Sequence, residues 1–411
     1  MNAAVKSILT INGGSSSIKF ALFKVGAQPQ LTHRGEIERI GSASTTFSTE
    51  SDDQTTRTTY MVEAADHAAA AILLMDWIAE NKLDGGLSAI VHRVVHGGPN
   101  FHAPQRLTTA VLNELRGLIL WDPAHLPEEI GLIEAFQRRY KNLPQVICFD
   151  TAFHHELPRV ATLLAIPRRY QAQGIRRYGF HGLSYEYLMS ELDRIDGDAA
   201  GRGRIILAHL GNGASLAAVQ DGKPIDTSMG FTPASGVMMG TRSGDIDPGL
   251  VAYLTRTEGL DADGFDALIN RQSGLLGVSE TSANMRDLLL HEANDPRAAD
   301  AVALFCYQIG KWIGAFAAAM GGLDRLVFAG GIGEQSPAVR ARICEGLGFL
   351  GIDIDANRNA QSNAKARVIS TNAARVTVHV IPTNEALVMA RAACRVLALD
   401  DKSRATSSTP R

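Results

Sequence analysis

The sequence predicts an α/β protein built as two domains of similar topology, and three observations predict it. The chain has 411 residues, more than one ordinary hydrophobic core organises. Short apolar runs that alternate with polar residues are interleaved with stretches whose apolar residues recur at helical spacing. A strand, glycine-rich turn and strand occur twice, at residues 8–25 and 204–219, and the two copies align without a gap: Ile8 on Ile206, Gly13 on Gly211, Ser17 on Ser215. Repetition at that distance is the mark of internal duplication.

The elements follow in order. Residues 8–25 read as a β-hairpin, with Ile8, Leu9 and Ile11 on one side of the turn and Ile18, Phe20, Leu22 and Phe23 on the other. Gly13 and Gly14 allow backbone N–H groups to approach an anion, and Asn12, Ser15, Ser16 and Ser17 add uncharged donors. The turn is either a phosphate cradle or a plain chain reversal. Residues 31–60 are rich in Thr and Ser and suit further antiparallel strands. Ala68, Ile72, Met75 and Ile78 give residues 64–81 a helical period that ends before Gly85 and Gly86.

Residues 89–99 are a β-type run that carries Arg93. An arginine among apolar strand residues needs a carboxylate or a phosphate, because an isolated buried guanidinium is costly. Both a structural salt bridge and a substrate contact satisfy that need. His92 and His96 are too far apart in a strand for a shared metal and read as structural. Residues 111–120 and 128–140 are helical, and the proline-punctuated loop between them carries His125. Residues 145–154 run from a buried strand into a polar end, with Asp150 at the strand's carboxyl edge, where it serves as a functional carboxylate or as a cap. The His154-His155-Glu156 run reads as solvated, and His181 lies in a later loop.

After the second hairpin, residues 226–248 place Gly236, Gly240 and Gly244 around Arg242, a shaped loop carrying one cation. Residues 250–256, 265–269 and 299–320 supply helices. Residues 325–334 are a third strand running into a glycine turn, with Ser336 as N-cap and Pro337 at the first position of the next helix. That turn lies against a nucleotide or is a tight β–α junction. Residues 377–381 are the last strand, 382–385 a turn, 386–399 a helix, and 400–411 a polar tail expected to be disordered.

Composition narrows the function. The chain is 45% hydrophobic and 20% charged with a formal charge of -3, which leaves no basic surplus for nucleic acid or an anionic membrane. Cys148, Cys306, Cys344 and Cys394 are scattered, without a Cys-x-x-Cys pair, so a disulfide framework and a structural zinc site are not expected and a cytoplasmic setting is. No signal peptide is read at the N-terminus. Gln308 and Lys311 interrupt the apolar residues 301–323, which read as a buried helix. The glycine turns, the arginines at 93 and 242, the loop histidines and the edge carboxylates form a set suited to phosphoryl transfer, which needs donors, cations and a carboxylate-held Mg²⁺. Neither a P-loop nor the protein-kinase motifs are present.

Ile-Asn-Gly-Gly-Ser-Ser-Ser-Ile-Lys-Phe, His-Arg-Val-Val-His-Gly-Gly, Phe-Asp-Thr-Ala-Phe-His, Tyr-Gly-Phe-His-Gly, His-Leu-Gly-Asn-Gly, Met-Met-Gly-Thr-Arg-Ser-Gly-Asp-Ile-Asp-Pro, Gly-Gly-Ile-Gly-Glu and Pro-Thr-Asn-Glu occur in that order. Together they resemble the acetate kinase family. The resemblance implies two duplicated actin-like, ribonuclease H-like domains with the active site in a cleft. Residues 1–150 with 384–399 would form the acyl and γ-phosphate side, and residues 151–383 the nucleotide side and a dimer interface. It implies transfer of the ATP γ-phosphoryl group to acetate in a cytoplasmic homodimer, with Mg²⁺ or alternatively Mn²⁺, and no nucleic-acid or membrane partner.

By the same resemblance, His181, Arg242, Asp150, Asn12 and His125 carry catalysis, and Arg93 holds the substrate carboxylate. Val95, Ala124, Phe180 and Pro233 line the acyl pocket. The nucleotide side takes Ser17 and Lys19 near the γ-phosphate, then His209, Gly211, Asn212, Gly213, Asn284, Met285, Arg286, Gly330, Gly331, Ile332 and Gly333. Asn12, Asp150 and Glu385 belong to the metal site. Three departures bear on specificity. His125 sits in Asp-Pro-Ala-His-Leu-Pro where Ala-Pro-Leu-His-Asn-Pro is usual. Ala124 therefore stands where a leucine is usual and should enlarge the pocket toward propionate. The Asn284-Met285 pair precedes Arg286 where an aspartate and a phenylalanine are usual, so the nucleotide preference is open. A propionate or butyrate kinase, and an actin-like ATPase working by assembly, are the competing readings.

Overall fold

The computed structural model describes residues 6–52, 57–197, 203–361 and 365–399; the expected disordered tail at 400–411 lies outside them. The chain divides into two compact units, one being Phe153–Thr383 and the other the residues before it together with those from Asn384 onward.

The first unit is built on an eight-stranded sheet: β1 Ser7–Gly14, β2 Ser17–Lys24, β3 Gln30–Glu38, β4 Thr46–Ser51, β5 Thr58–Met61, β6 Leu87–Val94, β7 Gln105–Arg106 and β8 Gln145–Phe149. Its spatial order is β5-β4-β3-β2-β1-β6-β8-β7. The strands β1 to β5 form an antiparallel meander, whereas β1, β6 and β8 run parallel. Central parallel strands are covered on both faces, and β8 is accordingly buried at every residue. Helices His67–Glu80 and Leu126–Arg139 cover one face through Leu74, Ile78, Leu132 and Phe136, packed on Leu9, Ile11, Ile18 and Phe20. Asp66 caps the first of these by accepting from the Ala69 N–H at 2.8 Å. Helix Glu385–Leu397 contacts β1, β6 and β8.

The second unit carries six strands: β9 Arg204–Leu210, β10 Ala214–Gln220, β11 Lys223–Thr227, β12 Arg325–Ala329, β13 Arg367–Val368 and β14 Thr377–Val380. Their order is β11-β10-β9-β12-β14-β13. The series β11-β10-β9-β12-β14 repeats β3-β2-β1-β6-β8, with an antiparallel meander on one side and two parallel additions on the other. The duplication read from the sequence is thus a duplication of topology. Helix Pro296–Met320 is long and apolar enough to cross a membrane by length and composition. Here Ala298, Val302, Phe305, Ile309, Ile313, Phe316 and Met320 recur at helical spacing as a buried face, and the helix packs against β9 and β10.

Four expectations change. The gapless alignment of the hairpins does not extend to their turns. In the first, Gly14 pairs with Ser17 across a two-residue turn; in the second, Leu210 pairs with Ala214 across three residues, so that Ser215 faces His209. Residues 330–335 are a short helix rather than an open turn. Glu385 opens the last helix instead of closing a turn, because the Asn384 side chain accepts from the Leu387 N–H at 3.0 Å. His154 is not solvated. The 3₁₀ turn Ala152–Glu156 leaves His155 and Glu156 exposed but sends His154 inward, where it is 1% exposed and bonds the Phe180 carbonyl at 3.0 Å.

Candidate active site

In the first unit four of the residues singled out by sequence meet at the carboxyl ends of β1, β6 and β8. Arg93 on β6 donates from Nε and Nη2 to the two oxygens of Asp150, at 2.9 and 2.5 Å, and from Nη1 to Asn12 Oδ1 at 3.1 Å. Asn12 Nδ2 donates in turn to Glu385 Oε2 at 3.3 Å. Arg93 therefore does meet a carboxylate, in the paired geometry that suits a guanidinium best. Burial opposes its charge, but Asp150 and Glu385 outweigh that and hold it well above its ordinary value. Burial pushes the Glu385 carboxyl upward, with Arg93 opposing and Asp150 adding to the shift. Ser17 and Lys19 lie across the hairpin from Gly14 and Asn12, and His67 Nε2 pins the turn through the Gly14 carbonyl at 2.7 Å.

His125 is the N-cap residue of Leu126–Arg139, and its Nδ1 bonds Asp122 Oδ1 at 2.8 Å. With Gly13, Gly14, Glu128 and Glu129 it lines a small hollow. Val95 is buried at the end of β6, whereas Ala124 is exposed in the loop before the helix. The Val95 N–H donates to Glu129, at 3.0 Å to Oε2. Glu129 escaped the sequence reading. Burial pushes its carboxyl up to about 8 against the pull of Arg93 and the Val95 N–H. The signal was an acid on the buried stripe of a helix, beside Leu126, Ile130 and Ile133.

In the second unit the nucleotide-type residues gather on two adjacent turns, after β9 and at the end of β12. A Cβ on Gly330 would lie 2.7 Å from the Leu210 carbonyl oxygen, and one on Gly211 3.8 Å from the Gly331 nitrogen. Gly330 has a φ of 76, so glycine is required there both for its conformation and for the close approach. Glu334 Oε1 accepts from Gly330 N–H at 2.9 Å and Thr383 N–H at 3.1 Å, tying the ends of β12 and β14. Burial raises this carboxyl despite those two donors. Arg340 braces the same helix from inside, donating to the Gly333 and Glu334 carbonyls and to Asn359. Neither Glu334 nor Arg340 was singled out from the sequence.

His181 and Arg242 meet beside the second hairpin. A Cβ on Gly213 would lie 2.9 Å from Arg242 Nη2 and 3.2 Å from His181 Nε2. Arg242 Nη1 donates to the Pro233 carbonyl at 2.7 Å, which anchors the cation to its own loop. Phe180 is buried directly before His181. The His209 ring stacks on His181 with centroids 4.4 Å apart. Gly240 donates to the Asn212 carbonyl at 2.9 Å, joining the shaped loop to the hairpin turn. The segment at 284–286 opens the short helix Met285–His291. Asn284 caps it through the Arg286 N–H, Met285 is buried, and Arg286 is exposed.

Two units of one topology, with a carboxylate–guanidinium cluster on the first and glycine turns beside an arginine and two histidines on the second, define a phosphotransferase of the actin-like ATPase fold. The model of the acetokinase family matches residues 7–391, and the chain belongs to that family. It is 44% identical over 387 residues to an acetate kinase of Rhodopseudomonas palustris, covering 93% of this chain and 96% of that one. It is 43% identical over 394 residues to a propionate kinase of Citrobacter rodentium, covering 95% and 96%. The solved acetate kinase of Porphyromonas gingivalis superposes with a TM-score of 0.85 at 36% identity, covering 95% of this chain and 100% of that one.

Proposed function

We propose that this chain is an acetate kinase that transfers the γ-phosphoryl group of ATP reversibly to acetate, giving acetyl phosphate and ADP, and that it also accepts propionate. The observation that carries this reading is the convergence of Arg242 Nη2 and His181 Nε2 on the bare Cα of Gly213. There, two donors flank a glycine turn that a phosphate chain approaches closely. Acetate is already ionised near neutral pH, so the reaction needs no strong base; it needs alignment and donors on the charge that develops on the phosphoryl oxygens.

In this reading Arg93 takes the substrate carboxylate, and Val95, Ala124, Phe180 and Pro233 take the acyl group. His181 and Arg242 stabilise the phosphoryl group in transfer, with Asn12, Ser17, Lys19 and His125 on the γ-phosphate side. The turns at 211–213 and 330–333, with His209 and the 284–286 segment, hold the nucleotide. Asp150 and Asn12 Oδ1 accept from the Arg93 guanidinium and Glu385 accepts from Asn12 Nδ2, so two carboxylates and an amide oxygen stand with a single guanidinium, a set of hard oxygen donors and negative charge that fits Mg²⁺. Asn12, Asp150 and Glu385 would hold the ion, which supplies charge neutralisation to the phosphates when bound. We assign the protein to the cytoplasm, as a homodimer.

The test is ADP formation from Mg-ATP with and without acetate in hydroxylamine, which traps the acyl phosphate as hydroxamate. Acetate-dependent ADP matched by hydroxamate is expected. ATP hydrolysis indifferent to acetate would favour an assembling ATPase instead.

A further inference from the structure

His181 stands at the N-cap of helix Gly182–Asp196 with a φ of 59, a backbone conformation rare for a side-chain-bearing residue. Its ring is nevertheless tightly placed. Nδ1 lies 2.8 Å from Ser215 Oγ on β10, and Ser215 Oγ lies 2.5 Å from the Tyr185 hydroxyl, one turn further along the helix. Ser215 and Tyr185 are both fully buried. We propose that Tyr185 and Ser215 form a hydrogen-bond relay that holds His181 as the Nε2–H tautomer, so that the neutral imidazole donates to the phosphoryl group in transfer. This rests on the role given to His181 above.

Serine and tyrosine hydroxyls each donate and accept, and the proposed relay takes one of the two directions open to them. A phenol donates to the serine oxygen, the serine donates its single proton to Nδ1, and the ring proton is left on Nε2, the atom beside Gly213. Arg242 brings a fixed cation to the same glycine, and His209 stacks at 25° on the opposite element. His209 is held in the same manner, its Nδ1 lying 2.8 Å from Ser184 Oγ, which bonds Thr383 Oγ1 at 2.8 Å. A second positive charge on His181 would be repelled by Arg242, whereas an oriented neutral donor is not. Tyr185 and Ser215 are thus positioning residues, and the sequence alignment of Ser215 with Ser17 conceals this, since the strand register turns the two serines to different partners.

The test measures kcat by the hydroxamate assay from pH 6 to 9 in the wild type and in Ser215→Ala, Tyr185→Phe and His181→Ala, with thermal melts to establish folding. Wild-type kcat should be flat through the histidine range. Ser215→Ala should fall about 10-fold below wild type at pH 8.5 and recover toward it as the pH falls, because any imidazolium that forms carries an Nε2 proton whichever tautomer it came from. Tyr185→Phe should move in the same direction by about 3-fold, and KM for both substrates should stay within about 2-fold. A Ser215→Ala to wild-type ratio that is constant with pH overturns the relay. His181→Ala should lose about 100-fold at every pH; if it does not, the role of His181 in transfer is wrong. ¹⁵N chemical shifts of the His181 ring in the wild type separate the two failures, because a pyridine-like Nδ1 and a pyrrole-like Nε2 at pH 7.5 report the tautomer without reference to catalysis. The reverse pattern rules the relay out.

Discussion

At the carboxyl ends of equivalent strands the two units place opposite chemistry on one scaffold. In the first, β1, β6 and β8 end near Asn12, Arg93 and Asp150, and Arg93 bonds the other two through charged and amide side chains. In the second, β9, β12 and β14 end near His209, Gly330 and Thr383, and the links among them run through serine and threonine hydroxyls and through the Glu334 carboxylate, which accepts from two backbone N–H groups. Parallel strands deliver loops to one edge in either case. What differs is that a guanidinium between carboxylates fills the first edge, whereas the second keeps its one carboxylate bound to backbone N–H groups and leaves glycine backbone bare beside it. A Cβ on Gly331 would meet nothing within 4 Å, so a ligand can lie directly on the chain there, while the first unit offers a compact set of charges.

The largest expected effect separates the two arginines. Arg93→Ala removes the partner of Asp150, which is 1% exposed, and leaves a buried carboxylate uncompensated at a cost of about 3–5 kcal/mol. Acetate turnover should fall by about 10³-fold or more and the melting temperature should drop with it. Arg242→Ala should lose a similar factor in kcat with a smaller drop in melting temperature, since its bond to Pro233 is to a backbone carbonyl rather than to a buried carboxylate. Equal thermal losses in the two variants would erase the distinction between an ionic edge and a backbone edge.

The next effect belongs to the second unit alone. Arg340 is fully buried and its donors end on carbonyl and amide oxygens, with no carboxylate among these bonds; burial lowers its pKa to about 10, so it keeps its charge. Arg340→Met should cost about 3 kcal/mol by leaving those acceptors without donors. Because two of them are the Gly333 and Glu334 carbonyls, KM for ATP should rise about 10-fold with a smaller change in KM for acetate. Denaturant melts and nucleotide titrations measure the two parts.

A pH dependence follows for the first unit. Glu129 keeps its proton up to about pH 8 in the folded state, while the unfolded side chain releases it near pH 4.3. Between those values the folded state binds the extra proton, so this group lowers stability as pH rises through the window and contributes no further change above it. Glu129→Gln removes the titration and keeps an acceptor for the Val95 N–H. The variant and the wild type should melt together at pH 5, and the variant should melt roughly 5 °C higher at pH 8.5. A gap independent of pH would show that Glu129 does not titrate in this window.

The same contrast explains what was legible in the sequence. Arg93 and Asp150 could be read because a charge in an apolar strand is an anomaly wherever it occurs, and the glycine turns because glycine clusters punctuate strands. That Asp150 is Arg93's partner was not readable, since the two are 57 residues apart and no local rule pairs them. The two-residue and three-residue hairpin turns also escaped, because backbone hydrogen bonds set the register while residue identities only permit it. His154 looked solvated because its neighbours are polar, yet one tight turn placed it beneath Phe180. Glu129 and Arg340 lie on helices near a second charge of their own kind, Glu128 and Arg342, and such charges on an amphipathic helix ordinarily face solvent, so only their place on the buried stripe marks them.

The smallest expected effect is at Ala124, the one acyl-pocket assignment that is exposed rather than buried. Val95, Phe180 and Pro233 are all buried, so their surroundings already fix their shape. Ala124 is the position free to set how much room the acyl group has. Ala124→Leu adds three carbon atoms without disturbing a packed core, so the melting temperature should not move. A methylene of apolar contact is worth about 1–3 kcal/mol, and the substitution should lower the ratio of kcat/KM for propionate over acetate by about 10-fold. The change should fall on propionate alone, since acetate has no methylene to displace. If both acids lose equally, leucine blocks entry instead of trimming the pocket. If neither changes, Ala124 does not line the acyl site, and the discrimination belongs to the buried positions.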